Sequence, residues 1–385
     1  MRIVFYSNYL NHHQVSLADE LYELTGGKYR FVETTPMPGF RKALGYADYS
    51  YKPYLVQAWK DAESARVARQ LCIEADVALF GGHEVLSYQL QRIQTGKLAF
   101  EVGERWLKKG LVNLLSPRLL KNMLAYHTRF RKAPIYKLCC SAYAASDQYL
   151  LCSYRDRCYK WGYFTKVEDY DIDTLMEHKE NVPVKIMWCS RFIDWKHPEL
   201  VLQLGDRLKA QGYSFVIDMY GNGEDFDKIK ASIAQKGLSD VIKLHGSIPN
   251  DAVLEAMRRS EIFLFTSDKQ EGWGAVANEA MGNGCVLVGS NEIGSIPFLV
   301  KDGYNGCIFK SCNIKSLEEK MKWLLDHPKK RRELAINGYE TLRDIWSPKH
   351  AAQSLIQLID DLVKQGDTSI QDGPGSKALP QKVLD

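Results

Sequence analysis

Nowhere in the 385 residues is there a window of about 20 nearly uncharged apolar residues, so no membrane-spanning helix is expected. The N-terminus is strand-like at once, Arg2-Ile3-Val4-Phe5-Tyr6, with no apolar stretch of signal-peptide length, which argues against secretion. No two of the nine cysteines stand at Cys-x-x-Cys spacing, so the usual zinc and thiol-redox signatures are missing. Free, buried thiols suit a reducing cytoplasm. Neither charge dominates. Fifty-one Lys plus Arg face 47 Asp plus Glu, a net +4 too mild to indicate nucleic acid. Ser7–Gln14, just after the first strand, holds no glycine, so the Gly-x-Gly-x-x-Gly turn of a dinucleotide-binding fold is absent. One absence is local: Asp and Glu are missing between Arg105 and Ser146, a stretch that carries nine Lys and Arg.

What remains is an ordinary globular composition, 45% hydrophobic and 25% charged. At about 150 residues per domain the length allows two domains. Short apolar runs alternate with amphipathic ones, first at Ile3–Ser7, Tyr29–Glu33, Val77–Phe80 and Leu98–Glu101. The alternation is cleaner from Val184 to Gly289, the pattern of parallel sheets covered on both faces. Residues 1–165 read as one α/β domain, the polar stretch 166–182 as a linker and 183–345 as a second α/β domain. Residues 346–365 read as a helix packing back toward the first domain. The Gly-, Ser- and Pro-containing stretch 366–385 reads as a disordered tail.

The strongest motif is Glu271-Gly272-Trp273-Gly274-Ala275, between the apolar run Ile262–Thr266 and the helix pattern Val276–Met281. Backbone N–H groups at such a strand-to-helix turn attract anions, and glycines let a ligand approach closely. Glu271 in the loop and Glu279 about one turn into the helix can reach one crevice at a strand's carboxyl end, where open α/β sheets bind ligands. Carboxylates suit vicinal hydroxyls because each accepts several hydrogen bonds. The bland alternative is two solvated glutamates. Arg191 and Lys196 leave the first strand of the same domain at that edge and can neutralise a pyrophosphate, or simply salt-bridge a surface loop. Gly221-Asn222-Gly223 and His245-Gly246-Ser247-Ile248 follow the next two strands, as phosphate- and base-facing turns or as tight connections only. Asp169-Tyr170-Asp171 imitates an Asp-x-Asp metal motif but sits in the polar linker, so no metal site is expected.

Together these loops make the second half resemble retaining glycosyltransferases of family 4. Glu271 and Glu279 match the family's paired glutamates, with seven residues between them, and Arg191 and Lys196 match its basic pair. The turns at Gly221-Asn222 and His245-Gly246, and the segments Gly294-Ser295-Ile296-Pro297 and Asp302-Gly303-Tyr304-Asn305-Gly306, match as well. Phe298 and Val286 depart from the family pattern. The first half is less similar, though Tyr143–Asp147 and Tyr159–Phe164 look like bacterial capsular or exopolysaccharide members. The resemblance implies the GT-B fold, two Rossmann-like doubly wound α/β domains facing each other across a cleft. It implies a nucleotide-sugar donor, a sugar or lipid-linked glycan acceptor, retention of configuration and no divalent metal or other cofactor. Glu279 would hold the ribose and Glu271 the sugar. Gly272, Trp273, Gly274 and Ala275 would contact sugar and phosphate, and Arg191 and Lys196 the departing diphosphate.

On the acceptor side, His12 follows the first strand as a candidate proton-transfer group, beside Asn11 and His13. His83 in Gly81-Gly82-His83-Glu84 and Glu104 in Glu101-Val102-Gly103-Glu104-Arg105 also leave strands, Glu104 as a candidate acid or base. In residues 105–137, leucines interleaved with the cations suit an anionic membrane surface, or a helix packed on its sheet with a solvated basic face. The expectation is a cytoplasmic enzyme, peripheral on the inner face of the plasma membrane through this stretch. Two rivals stand beside it: a nucleotide-sugar-binding scaffold without turnover, and an NAD-dependent dehydrogenase with Glu33 as its ribose acid, against which the glycine-free first turn argues.

Overall fold

The computed structural model describes residues 1–39, 47–180 and 182–381. Positions 40–46 of the expected first domain, 181 of the linker and 382–385 of the tail lie outside the described residues. The chain forms two compact units, Met1–Lys166 joined by the C-terminal stretch from Trp346, and Val167–Ile345.

The first unit is built on a parallel sheet of β1 (Ile3–Ser7), β2 (Tyr29–Glu33), β3 (Leu55–Gln57), β4 (Val77–Gly81), β5 (Ala99–Gly103), β6 (Ile135–Cys139) and β7 (Cys158–Lys160), in the order β3-β2-β1-β4-β5-β6-β7. Strands β1 and β4 are buried at every position, as apolar runs covered on both faces must be. The chain winds to opposite sides from β1 and β4, so their carboxyl ends open a crevice at the switch point. Arg92, fully buried, holds this unit's helix ends. Its guanidinium donates to the carbonyls of Cys72, Ala75, Asp76 and Leu98 at 2.7 to 3.0 Å. A cation there satisfies the orphan carbonyls that close the helix Ala62–Glu74.

The second unit orders β8 (Val184–Cys189), β9 (Phe215–Tyr220), β10 (Ile242–Gly246), β11 (Ile262–Phe265), β12 (Val286–Ser290) and β13 (Cys307–Phe309) as β10-β9-β8-β11-β12-β13, all parallel. Its switch point lies between β8 and β11. Its core gathers Trp188, Phe192, Leu204, Ile217 and Val288 with Leu317 and Met321 from the helix Ile314–Asp326.

Two stretches differ from the sequence reading. The expected linker is part of the second unit. Leu175 and Met176, on the short helix Ile172–Glu177, enter its core. Lys179 is buried and donates to the carbonyls of Met257 and Ser260. The few apolar side chains hidden in a polar run are the ones that anchor it. The expected disordered tail is ordered as far as it is described. Lys160 and Ser376 pair through the backbone at 2.7 Å and Ala378 with Cys158 at 2.9 Å, antiparallel to β7. Tyr159 and Lys160 also bind Asp367 and Asp372. The tail thereby covers the open edge of β7, whose unpaired backbone groups would otherwise face solvent. Before the tail, the helix Pro348–Lys364 packs on His12–Leu24, and Trp346 stacks with Phe164 at 6.3 Å.

Candidate active site

At the β8/β11 switch point of the second unit, the strand-end loops are tied to one another by backbone hydrogen bonds. Ser190 N–H donates to Tyr220, Phe192 N–H to Asn222, Gly221 N–H to Gly246, and Gly294 N–H to Glu271. Arg191, Gly221, Asn222, Gly246 and Glu271 therefore stand along one rim. Gly221 is confined to this role: at φ +123° a Cβ would meet the Ser190 carbonyl oxygen at 1.9 Å.

Lys196 and Glu271 form an ion pair, and the Ser267 hydroxyl donates to the same Glu271 oxygen at 3.1 Å. The Lys196 carbonyl accepts from Thr266, whose hydroxyl accepts from the buried Trp188 indole at 2.9 Å. A cation and a carboxylate are thus presented in fixed positions at the carboxyl end of β11. Gly274 makes the turn beneath them. Its φ is +77°, and a Cβ there would lie 2.2 Å from Phe265 and 3.2 Å from the Glu271 carboxyl carbon. Trp273 is buried, its indole donating to Asn278 at 2.8 Å, and Gly272 and Ala275 are buried beside it. Glu279 follows on the helix Val276–Gly282, and burial lifts its carboxyl to about 7. Cys189 ends β8. Burial pushes its thiol up to about 12, with Glu279 raising it further and Lys196 opposing.

Two residues of this rim escape motif reading. The Trp195 ring lies 4.2 Å from the Lys196 ammonium and 5.7 Å from the Arg191 guanidinium, a shared cation–π platform. His197, at φ +51°, starts the helix Pro198–Ala210. Hydrogen bonding to Asp268 first, then Glu199, raises its pKa to about 10. A hydrophobic-periodicity reading passes over both because neither belongs to a spaced pattern. At the far end of the rim, His245 is held by Asp218 at 2.6 Å and stacks on Tyr220 at 4.5 Å, a structural tether. Ile248 lines a separate cavity of about 260 Å³ with Asp218 and Tyr220, while Ser247 is exposed. The Asp-x-Asp imitation is resolved as well: Asp171 caps the helix Ile172–Glu177 by accepting from Thr174 N–H, and Asp173 pairs with Arg332.

In the first unit, Asn11, His13, His83 and Glu104 all line one cavity of about 870 Å³ at the β1/β4 switch point. Asn11 caps the helix His12–Leu24 by accepting from His13 N–H, and the His12 and His13 rings lie 3.7 Å apart. Asn8, which carries no motif, accepts from His83 N–H at 2.6 Å and fixes that loop. Burial, then Arg118, lowers the His83 pKa. Glu104 accepts from Tyr163 at 2.8 Å and from Lys108. At the cavity floor, buried Lys137 donates to Glu101, which also accepts from Tyr154 at 2.6 Å. Glu33, the dehydrogenase-like acid, is spent on structure: it accepts from Leu10 N–H at 2.9 Å and from Gln57 at 3.1 Å.

The family model described as glycosyl transferases group 1 matches residues 176–341. An uncharacterized glycosyltransferase of Methanocaldococcus jannaschii, MJ1178, is 29% identical over 154 residues, 40% of this chain and 42% of that protein. The amylovoran biosynthesis glycosyltransferase AmsK of Erwinia amylovora is 29% identical over 129 residues, 32% of this chain and 31% of the relative. The match thus spans less than half the length of these curated relatives. The crystal structure of Anabaena HepE in complex with UDP and glucose is similar over 94% of this chain and 100% of that one, with 15% identity and a TM-score of 0.66. That likeness shows the fold, two parallel-sheet Rossmann-like units of the GT-B type. Residues 176–341, the stretch that carries the paired glutamates and the basic loop, are thus the part of the chain similar to glycosyl transferases group 1.

Proposed function

We propose that the protein transfers a sugar from a nucleoside-diphosphate sugar to a hydroxyl acceptor, with retention and without a divalent metal. The carrying observation is the Lys196–Glu271 pair at the β8/β11 switch point, with Glu279 on the helix that follows the Gly274 turn. In this reading Glu279 accepts from the ribose hydroxyls and Glu271 from the sugar. Arg191 and Lys196 neutralise the diphosphate as the bond from the anomeric carbon to its oxygen breaks. The acceptor oxygen bonds to the anomeric carbon on the face the diphosphate leaves, and its proton passes to the departing phosphate oxygen. The first unit's cavity takes the acceptor, with Glu104, His13 and His83 among its polar groups and His12 beside His13. The UDP-bound HepE structure and the amylovoran relative support a nucleotide-sugar donor and a bacterial surface polysaccharide or glycolipid setting.

The test is a panel of nucleotide sugars scored for thermal stabilisation, hydrolysis and transfer, with and without chelator. At least one is expected to stabilise the fold and turn over equally in both conditions. Glu271→Ala is expected to lose transfer by a factor on the order of 10³ while melting as a folded protein. Stabilisation without turnover would favour a binding scaffold, and chelator sensitivity would overturn the metal-free chemistry.

A further inference from the structure

The 3-10 turn Gly110–Leu115 and the helix Pro117–Ala125 border the first unit's cavity. Leu107 and Leu119 point inward and anchor this segment. Leu114 is half-buried, and five other aliphatic side chains do not follow them. Leu111, Val112, Leu115, Leu120 and Leu124 stand in solvent, from 52% exposed at Leu120 to 80% at Leu115. A helix packed on its sheet with a solvated basic face turns its leucines inward. Here leucines and cations share the outer surface. Carboxylates from elsewhere neutralise Arg105, Lys108 and Lys137. Lys109, Arg118, Lys121, Arg129, Arg131 and Lys132 are exposed, and among the described residues none has a carboxylate at ion-pair distance. Exposed aliphatic side chains interspersed with unpaired cations along one segment are the complement of a surface that is anionic at its face and apolar just beneath.

We infer that this face docks on an anionic lipid bilayer, its leucines entering the headgroup boundary and its cations meeting lipid phosphates. Among the described residues no helix is long and apolar enough to cross a membrane, so this attachment lies on the surface. Arg118 and Lys121 also line the cavity. They therefore carry the phosphate-binding face from the bilayer to the cavity mouth, so that the acceptor of the proposed transferase arrives from the lipid side. That last step rests on the transferase reading; the docking does not.

The test is co-sedimentation of the full chain with phosphatidylcholine vesicles and with vesicles containing about 30% phosphatidylglycerol, at low and high salt. Pelleting is expected with the anionic vesicles and is weakened by salt. Leu115→Asp with Leu120→Asp, and separately Arg118→Glu with Lys121→Glu, are each expected to lower partitioning by about tenfold or more. Thermal stabilisation by UDP serves as the control for folding and for donor binding, and both variants are expected to keep it. Failure of every nucleotide sugar in the panel to stabilise wild-type protein that still pellets would sink the transferase reading and leave the docking intact. Equal binding to neutral vesicles, no binding, or variants that pellet like wild type would overturn the docking. So would a dimer dissolved by Leu115→Asp, because a second copy would then cover the patch.

Discussion

At the scale of single residues, Gly274 shows how narrowly the loop is drawn. A side chain there must adopt a left-handed backbone and also displace the Phe265 ring, against which the Glu271 carboxyl is set. Gly274→Ala is expected to cost on the order of 2 to 3 kcal/mol, read as a lower melting temperature, and to weaken nucleotide-sugar binding. His197 sets a pH dependence. Its pKa is raised from 6.5 to about 10, so the folded state holds a proton that the unfolded state releases in that interval. The stabilisation is complete below pH 6.5 and is lost as pH rises toward 10. His197→Asn keeps a residue that tolerates φ +51° but removes the charge. The stability difference between wild type and this variant is expected to be largest near pH 6 and to shrink by pH 10, measured by denaturant unfolding across that range. A constant difference would mean that the Asp268 and Glu199 contacts act without the charge. The candidate side chains were legible where they sit at strand ends, because a parallel sheet brings all such ends to one edge. Trp195 and Asn8 were not, since a ring beneath two cations and an amide bracing a loop leave no spacing in the sequence.

At the scale of elements, β1 and β2 appear in the sequence with the boundaries they have in the fold, and β4 and β5 differ from their apolar runs by one or two residues. Buried parallel strands announce themselves as apolar runs. The tail does not, since it binds β7 through backbone groups that any residue supplies, and its Gly, Ser and Pro content imitates disorder. Removing residues 367–385 is expected to expose the β7 edge, lower the melting temperature and speed amide exchange at Cys158–Lys160, followed by hydrogen-exchange mass spectrometry. Unchanged exchange there would mean that the tail does not protect the edge. The stretch 105–137 shows the same limit from the other side. Its leucines divide into buried Leu107 and Leu119 and exposed Leu111, Leu115, Leu120 and Leu124, and nothing in their spacing separates the two sets.

At the scale of the whole molecule, the two units predict a localised response to ligand. UDP at about 100 times its dissociation constant is expected to stabilise the protein by about 2.7 kcal/mol. Protection from amide exchange is expected to concentrate in residues 190–197 and 267–279, the rim at the β8/β11 switch point. Protection centred on 81–105 instead would move the donor site to the first unit. The chain also departs the first unit at Lys166 and returns at Trp346. During synthesis every residue of Val167–Ile345 is translated before the helix and tail that close the earlier unit. The earlier unit therefore stays part assembled until the last stretch of the chain has been made. A premature stop codon after Ile345 would spare the one and leave the other unfinished.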